Sequence, residues 1–302
     1  MNSKLEEKFN KCREDTFIDL DKFLLENKYD DVKILQKQTS VKEYFCNDEG
    51  IIYKPQTNLY ECYVEVIMYN LAKLLNIDCA YYDLGFDSDT IGNITIDFKK
   101  ENYNYYSLSN IIDDYIEFYK GRHSSIEVMV YTNNLENIWD ALYSKYYSLD
   151  NYEEIIKKLM DQLVEIFCFD LLTINNDRNT NNLIIVESKD LTNISFAPIF
   201  DNSLSLNYSK TSRMGVEIDW QEYDHFTLLA KFLNSSSIEY LDKFKIMYEK
   251  FDIGLLKSAI IATEQQINGN LPNKIKEQLI HNFCENRAKF GDVLENYKNK
   301  ER

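Results

Sequence analysis

The sequence predicts an α+β protein in two parts, a strand-rich amino-terminal part followed by a mostly helical one. Three observations lead there. Residues 32–98 carry short apolar runs separated by polar breaks, around one strongly periodic helical stretch. Beyond about residue 104, apolar residues recur at helical spacing through most of the chain. Only 8 Gly and 3 Pro occur in 302 residues, which argues against an all-β protein built from many tight turns. At ~150 residues per domain, the length fits two domains or one domain with two lobes. The expected divisions are a helical extension over 1–31, a strand-rich lobe over 32–103 and a helical lobe over 104–302.

Each element follows from local pattern. Residues 3–28 read as helix, with Leu5, Phe9 and Cys12 at helical spacing and Phe17, Leu20, Phe23 and Leu24 resuming it. Lys33-Ile34-Leu35, Tyr44-Phe45 and Ile51-Ile52-Tyr53 read as strands, and Asn47-Asp48-Glu49-Gly50 is a turn cluster that makes a hairpin of the last two. Residues 59–76 read as a helix with Tyr60, Tyr63, Val64, Ile67 and Leu71 on one side, followed by strands over 80–84 and 93–98. Helices are expected over 106–119 and 134–147, and the best-defined one over 150–174. There Asp150 and Glu153 have capping-box spacing, and Ile155, Ile156, Leu159, Leu163, Ile166, Phe167 and Leu171 supply a buried stripe. Two strands, 183–186 and 194–197, interrupt the helical part around the turn-like Glu187-Ser188-Lys189-Asp190. Further helices are expected over 221–233, 236–251, 254–267 and 272–296, the last with Pro272 in its first turn.

Composition narrows the function. Hydrophobic residues make up 44% of the chain, with 17 Phe and 23 Tyr, enough for folded cores. A formal net charge of −16 argues against general nucleic-acid binding and against adhesion to anionic membranes. The six cysteines include no CxxC pair, so zinc and thioredoxin-like chemistry have no support, and Cys62, Cys79 and Cys168 read as core thiols. The start has no signal-peptide pattern, and no run approaches the ~18 apolar residues of a membrane span, so a cytoplasmic location is expected. His123, His225 and His281 share no metal-ligand spacing, and Trp139 and Trp220 read as packing residues.

Two polar segments bracket the strand pair of the helical part. The first runs from Thr173 to Asn182 and contains Asp177. The second runs from Ala197 to Asn202 and contains Asp201. Phosphoryl transfer from ATP needs a carboxylate near the attacking hydroxyl and oxygen ligands for Mg²⁺, and kinases supply one carboxylate and one ligand five residues apart, with a second Asp after a hairpin. Asp177 and Asn182 have that spacing, and Asp201 follows the predicted hairpin. The same Asp-x4-Asn spacing recurs at Asp97/Asn102 and Asp170/Asn175, so spacing alone does not single out the pair. Upstream, Lys54 ends a strand and Glu65 lies on the next helix, in the order that lets a lysine–glutamate pair position phosphates.

On these residues the chain resembles the HipA-like serine/threonine kinases. FDLLTINNDRNTNNLIIV followed by APIFDNSLSL looks like their catalytic core, and KQTSVKEYFCNDEGIIYKP like their phosphate-binding hairpin and lysine strand. ECYVEVIMYNLAKLLNIDCAYYDL looks like their regulatory helix and next strand, and ITIDFKKENYNYYSLSNII like the stretch joining the lobes. The likeness covers about residues 33–206 and implies a bilobal protein-kinase-like fold, a small β-rich lobe and a mostly helical one, with ATP and Mg²⁺ bound between them. It implies Asp177 as catalytic base, Asn182 and Asp201 as Mg²⁺ ligands, Lys54 on the ATP phosphates and Glu65 paired with it. Thr39 and Ser40 would approach the phosphates, and Ser40 is the candidate for autophosphorylation. There is no Gly-rich phosphate loop, and the metal segment reads Asp201-Asn202-Ser203.

The implied partner is a protein substrate carrying Ser or Thr. The likeness gives no support to an antitoxin partner, because longer family members carry an extra amino-terminal strand subdomain where this chain has residues 3–28. Two other readings stay open: a pseudokinase that keeps the fold as a binding module, and a lipid or small-molecule kinase. Ser203, Ser205, Ser209, Thr211 and Ser212 read as a polar loop at the place of an activation segment, with Lys210 and Arg213 near enough in sequence to pair with a phosphate there.

Overall fold

The computed structural model describes residues 3–27, 33–36, 43–46, 50–56, 58–87, 90–120, 135–175, 178–206 and 238–300. In chain order the elements are α1 (Ser3–Lys11), β1 (Arg13–Glu14), β2 (Phe17–Asp19), α2 (Leu20–Glu26), β3 (Lys33–Gln36), β4 (Glu43–Cys46), β5 (Ile51–Pro55), α3 (Leu59–Leu75), β6 (Tyr82–Asp87) and β7 (Thr90–Ile96). Then come β8 (Tyr103–Ser107), α4 (Leu108–Lys120), α5 (Leu135–Tyr146), α6 (Tyr152–Thr173), β9 (Ile184–Ser188), β10 (Ile194–Phe196), α7 (Ile238–Lys250), α8 (Ile253–Gln266) and α9 (Asn273–Lys300). Two compact units emerge. Of the described residues, the first holds 3–98, 202–206 and 252–283, and the second holds 99–201, 238–251 and 284–300.

The first unit is built on a seven-stranded mixed sheet of order β1-β2-β6-β7-β5-β4-β3. The expected strand pairing of β4 with β5 is present, with Phe45 opposite Tyr53. The single helix expected over 3–28 is not. The chain leaves α1 at Cys12, turns at Asp15 with a φ of 51°, and lays β2 parallel to β6 with Ile18 opposite Gly85. Two interactions outweigh continuation of the helix. Arg13 forms a two-pronged ion pair with Asp83, at 2.7 and 3.1 Å, with both side chains almost fully buried. Leu5, Phe9, Ile18, Leu20 and Phe23 join Ile51, Tyr53 and Ile94 in one core cluster. Asp19 then caps α2 by accepting the Lys22 N–H at 3.0 Å.

α3 is buried over most of its circumference, because it packs on β6, β7 and α8 at once. Asn58 caps it by accepting the Glu61 N–H at 2.9 Å. Asn76, in the left-handed conformation, ends it. Asn70 donates to Thr263 and Gln266 of α8, and Gln266 donates onward to the Tyr82 carbonyl. α9 begins immediately after Pro272, whose carbonyl accepts the N–H groups of Ile275 and Lys276.

The second unit holds a three-stranded antiparallel sheet, β10-β9-β8, with α6 packed on β10, α5 and α7. The α6 stripe is buried as expected at Ile155, Ile156, Leu159, Leu163, Ile166 and Leu171, while Phe167 is only half-buried. The capping box does not form. Asn151 precedes the helix and makes no side-chain cap. Cys62 and Cys168 are buried thiols and Cys79 is half-exposed. Trp139, expected to be a packing residue, is 43% exposed. The helix expected over 221–233, Trp220, His123 and His225 lie outside the described residues. Among the described residues no helix is long and apolar enough to cross a membrane.

Candidate active site

The first unit places Lys54 and Glu65. Taken singly, a lysine and a glutamate are most often solvated surface charges, but here Lys54 is 4% exposed and Glu65 0%. Their positions are fixed through Asn93, which sits opposite Lys54 in the β5–β7 register and is itself fully buried. The Asn93 amide donates to the Cys62 carbonyl at 2.9 Å and to the Asp83 carbonyl at 3.3 Å, and accepts from Gln56 at 3.0 Å. One side chain therefore ties the lysine strand, β6 and α3 together. Cys62 lies about one turn before Glu65, so the rotation of α3 is set close to the glutamate. Gly92 completes the fit: a Cβ there would stand 2.4 Å from the Lys54 carbonyl oxygen.

Glu65 Oε1 accepts the backbone N–H of Asn202 at 2.8 Å, a charge-assisted bond to the residue immediately after Asp201. The far end of the same segment is held at Leu206, whose carbonyl accepts from the Tyr60 hydroxyl at 3.0 Å and the Asn282 amide at 2.6 Å. Burial pushes the Tyr60 phenol up, so it stays a neutral donor. Ser203 and Ser205, expected in a polar loop, are instead buried within this pinned turn. Ser209, Thr211, Ser212, Lys210 and Arg213 lie outside the described residues, as do Thr39, Ser40 and Asp177.

The second unit builds the loop after α6. The helix ends at Ile174 in the left-handed conformation, φ 50° and ψ 56°, an uncommon and strained state for a β-branched residue. Asp170, in the last turn of the helix, organises the loop. Its carbonyl accepts the Asn175 N–H at 3.0 Å, and its carboxylate accepts the Asn175 amide at 3.2 Å. The same carboxylate takes the Arg178 fork at 2.8 and 3.2 Å. The third Arg178 donor reaches the Phe200 carbonyl at 2.6 Å. The described residues on either side of Asn176 and Asp177 are thus both bound to Asp170, and Arg178 also holds the residue before Asp201.

Asn182 ends a short 3₁₀ turn, Thr180–Asn182, whose start is capped by Asn179. Asp201 comes after β10, half-buried, with a φ of 60°. One carboxylate and one amide oxygen are hard ligands of the type Mg²⁺ takes, usually completed by water and phosphate oxygens. The half-buried state of Asn182 and Asp201 fits such completion. Among the described residues no group of three or more His, Cys, Asp or Glu is assembled to hold an ion alone.

Sequence reasoning did not foresee Asn93, the Asn202 bond of Glu65, or Asp170 as the organiser of the loop. The Asp170/Asn175 spacing was the visible signal for the last. It matched Asp177/Asn182, and the structure gives it a positioning part.

Sequence comparison finds no matching protein family and no matching curated protein. Solved structures do match. The chain is similar to CtkA, a proinflammatory kinase of Helicobacter pylori, with a TM-score of 0.59 and 16% identity over 90% of this chain and 98% of that one. It is also similar to HipA of a toxin–antitoxin system of Shewanella oneidensis MR-1, solved with HipB and operator DNA, with a TM-score of 0.47 and 16% identity over 88% of this chain and 67% of that one. The chain therefore has a kinase-like α+β fold, an amino-terminal mixed sheet with a largely helical remainder, shared with CtkA over 90% of its length.

Proposed function

We propose that this protein is an ATP-dependent kinase of the HipA-like type, transferring the γ-phosphate of ATP to a Ser or Thr hydroxyl of a protein, itself included. The observation that carries the proposal is the CtkA-like fold across 90% of the chain. The buried Lys54 and Glu65, and the Asp170–Arg178 ion pair at the end of α6, support the assignment of roles.

In this mechanism Lys54 holds the α- and β-phosphates and Glu65 orients it, while Thr39 and Ser40 approach the phosphates. Asn182 and Asp201 would hold Mg²⁺, which would supply neutralisation of the phosphate charge. The acceptor oxygen bonds to the γ-phosphorus as the bond to the β–γ bridging oxygen breaks. Asp177 takes the hydroxyl proton, and ADP leaves. The test is label transfer from ATP in the presence of Mg²⁺ and a mixture of generic protein acceptors. Wild type transfers label, and Asp177→Ala and Asp201→Ala lose about 10²-fold or more. Absence of both label transfer and ATP hydrolysis, together with no ATP-dependent thermal shift, overturns the proposal. A thermal shift without turnover moves the assignment to a nucleotide-binding pseudokinase.

A further inference from the structure

α5 has two apolar faces. Ile138, Ala141, Leu142 and Tyr146 are buried in the second unit, as helical spacing requires. Trp139, Tyr143 and Tyr147 succeed one another at four-residue spacing on the outward side and remain 43%, 39% and 58% exposed. That side of a helix ordinarily carries polar residues. Here it carries a ladder of rings. Trp139 stacks on Tyr143 with centroids 5.3 Å apart and planes 12° apart. Tyr143 stacks on Tyr147 at 6.0 Å and 29°. Tyr152 meets Tyr143 edge-on at 5.7 Å and 80°. Among the described residues, Trp139 and Tyr147 each have a single ring neighbour, so each end of the ladder keeps one face clear of it.

The ladder's setting is acidic. Asp150, Glu153 and Glu154, just beyond Tyr147, are all exposed. The one basic residue between positions 135 and 156 is Lys145, and it is turned elsewhere: its ammonium is 3.1 Å from the Glu187 carboxylate and 3.7 Å from the centre of the Tyr106 ring. No cation of α5 covers the exposed rings.

Contiguous exposed aromatic surface marks an interaction site. Ring faces and carboxylates together select the partner's chemistry, because a guanidinium stacks on an aromatic face and binds a carboxylate at its edge. We infer that the outward face of α5, with the turn after it, docks an arginine-rich polypeptide segment. A second copy of this chain is disfavoured as occupant, since it would bring another surface of a protein with net charge −16 against the same acids. The inference rests on the surface alone and stands or falls independently of the kinase activity.

The test uses the full chain and a fluorescently labelled octa-arginine peptide, followed by anisotropy at ~0.15 M salt, where long-range charge attraction is screened beyond about 8 Å. Wild type binds, and Tyr143→Ala/Tyr147→Ala weakens binding about 5- to 30-fold, the loss expected for two exposed cation–π contacts. Tyr143→Phe/Tyr147→Phe keeps the ring faces and binds as wild type, which separates loss of rings from loss of local packing. Asp150→Asn/Glu153→Gln/Glu154→Gln weakens binding and flattens its salt dependence. Equal affinity of wild type and the alanine variant refutes the inference, since the peptide is then held by general acidity. Sedimentation showing a wild-type dimer that the alanine variant abolishes, with no peptide binding, also overturns it in favour of self-association.

Discussion

Arg178→Ala tests how strongly Asp170 holds the described residues that follow α6, Asn175 and Arg178. The substitution removes two bonds to the Asp170 carboxylate, at 2.8 and 3.2 Å, and one to the Phe200 carbonyl at 2.6 Å. Both side chains of the pair are 7% exposed, so solvent does little to screen the interaction. Deleting one partner of a buried pair costs about 3–5 kcal/mol, because the other charge stays buried without its partner. Asp170 keeps the Asn175 amide donor at 3.2 Å, which pulls the figure toward the lower end. The lost Phe200 bond adds about 1 kcal/mol. The expected loss is therefore ~3–5 kcal/mol, read as the shift of the urea midpoint at constant slope. A double-mutant cycle with Asp170→Asn isolates the pair, and contacting residues of this kind couple by up to about 3 kcal/mol. Arg178→Lys, which keeps charge but loses the fork, recovers only part of the loss. If the two single losses simply add, to within ~0.5 kcal/mol, the Asp170–Arg178 clamp is not what holds the loop.

The same geometry sets two further expectations. Glu65→Ala leaves the buried Asn202 N–H without its acceptor and destabilises by about 1–3 kcal/mol, whereas Glu65→Gln retains an oxygen there and loses less; equal losses in urea titrations would show that this bond is not the source. Asp190 is held down at about 2 by hydrogen bonds from Ser188 and Thr192 in the β9–β10 turn. A lowered carboxyl pKa contributes stability above the unfolded value of about 3.9, lost as pH falls through the folded value. An NMR titration of its carboxyl carbon should find that low midpoint, and a midpoint near ~3.9 would remove the turn's contribution.

The helices of the second unit were legible because their apolar spacing is strong and their packing agrees with it. α6 is the example, buried along the stripe its sequence displays. Its start was not legible, since Asp150 and Glu153 have cap spacing but the backbone at Asn151 (φ −109°, ψ 26°) is not that of a cap. At the amino terminus a helical period concealed a strand. Phe17, Ile18 and Asp19 satisfy either element, and only the distant partners Gly85 and Asp83 decide between them. The candidate site divides the same way. Lys54, Glu65, Asn182 and Asp201 were visible as residue types at suggestive spacing. Asn93, which ties the strand of Lys54 to the helix of Glu65, and Asp170, which holds Asn175 and Arg178, act through contacts far apart in sequence or through a spacing that has two uses.

The parallel strand β2 has a consequence for the chain as a polymer in solution. A sheet edge is a row of unpaired backbone groups that invites another chain. On this side the sheet closes with β1, only two residues long, which leaves little for a stranger to pair with. A chain shortened past residue 27 would offer β6 instead, six residues whose first four are buried, with Asp83 stripped of its guanidinium. The first 27 residues thus act as a shield against strand addition: they keep a sticky interior strand from becoming an edge.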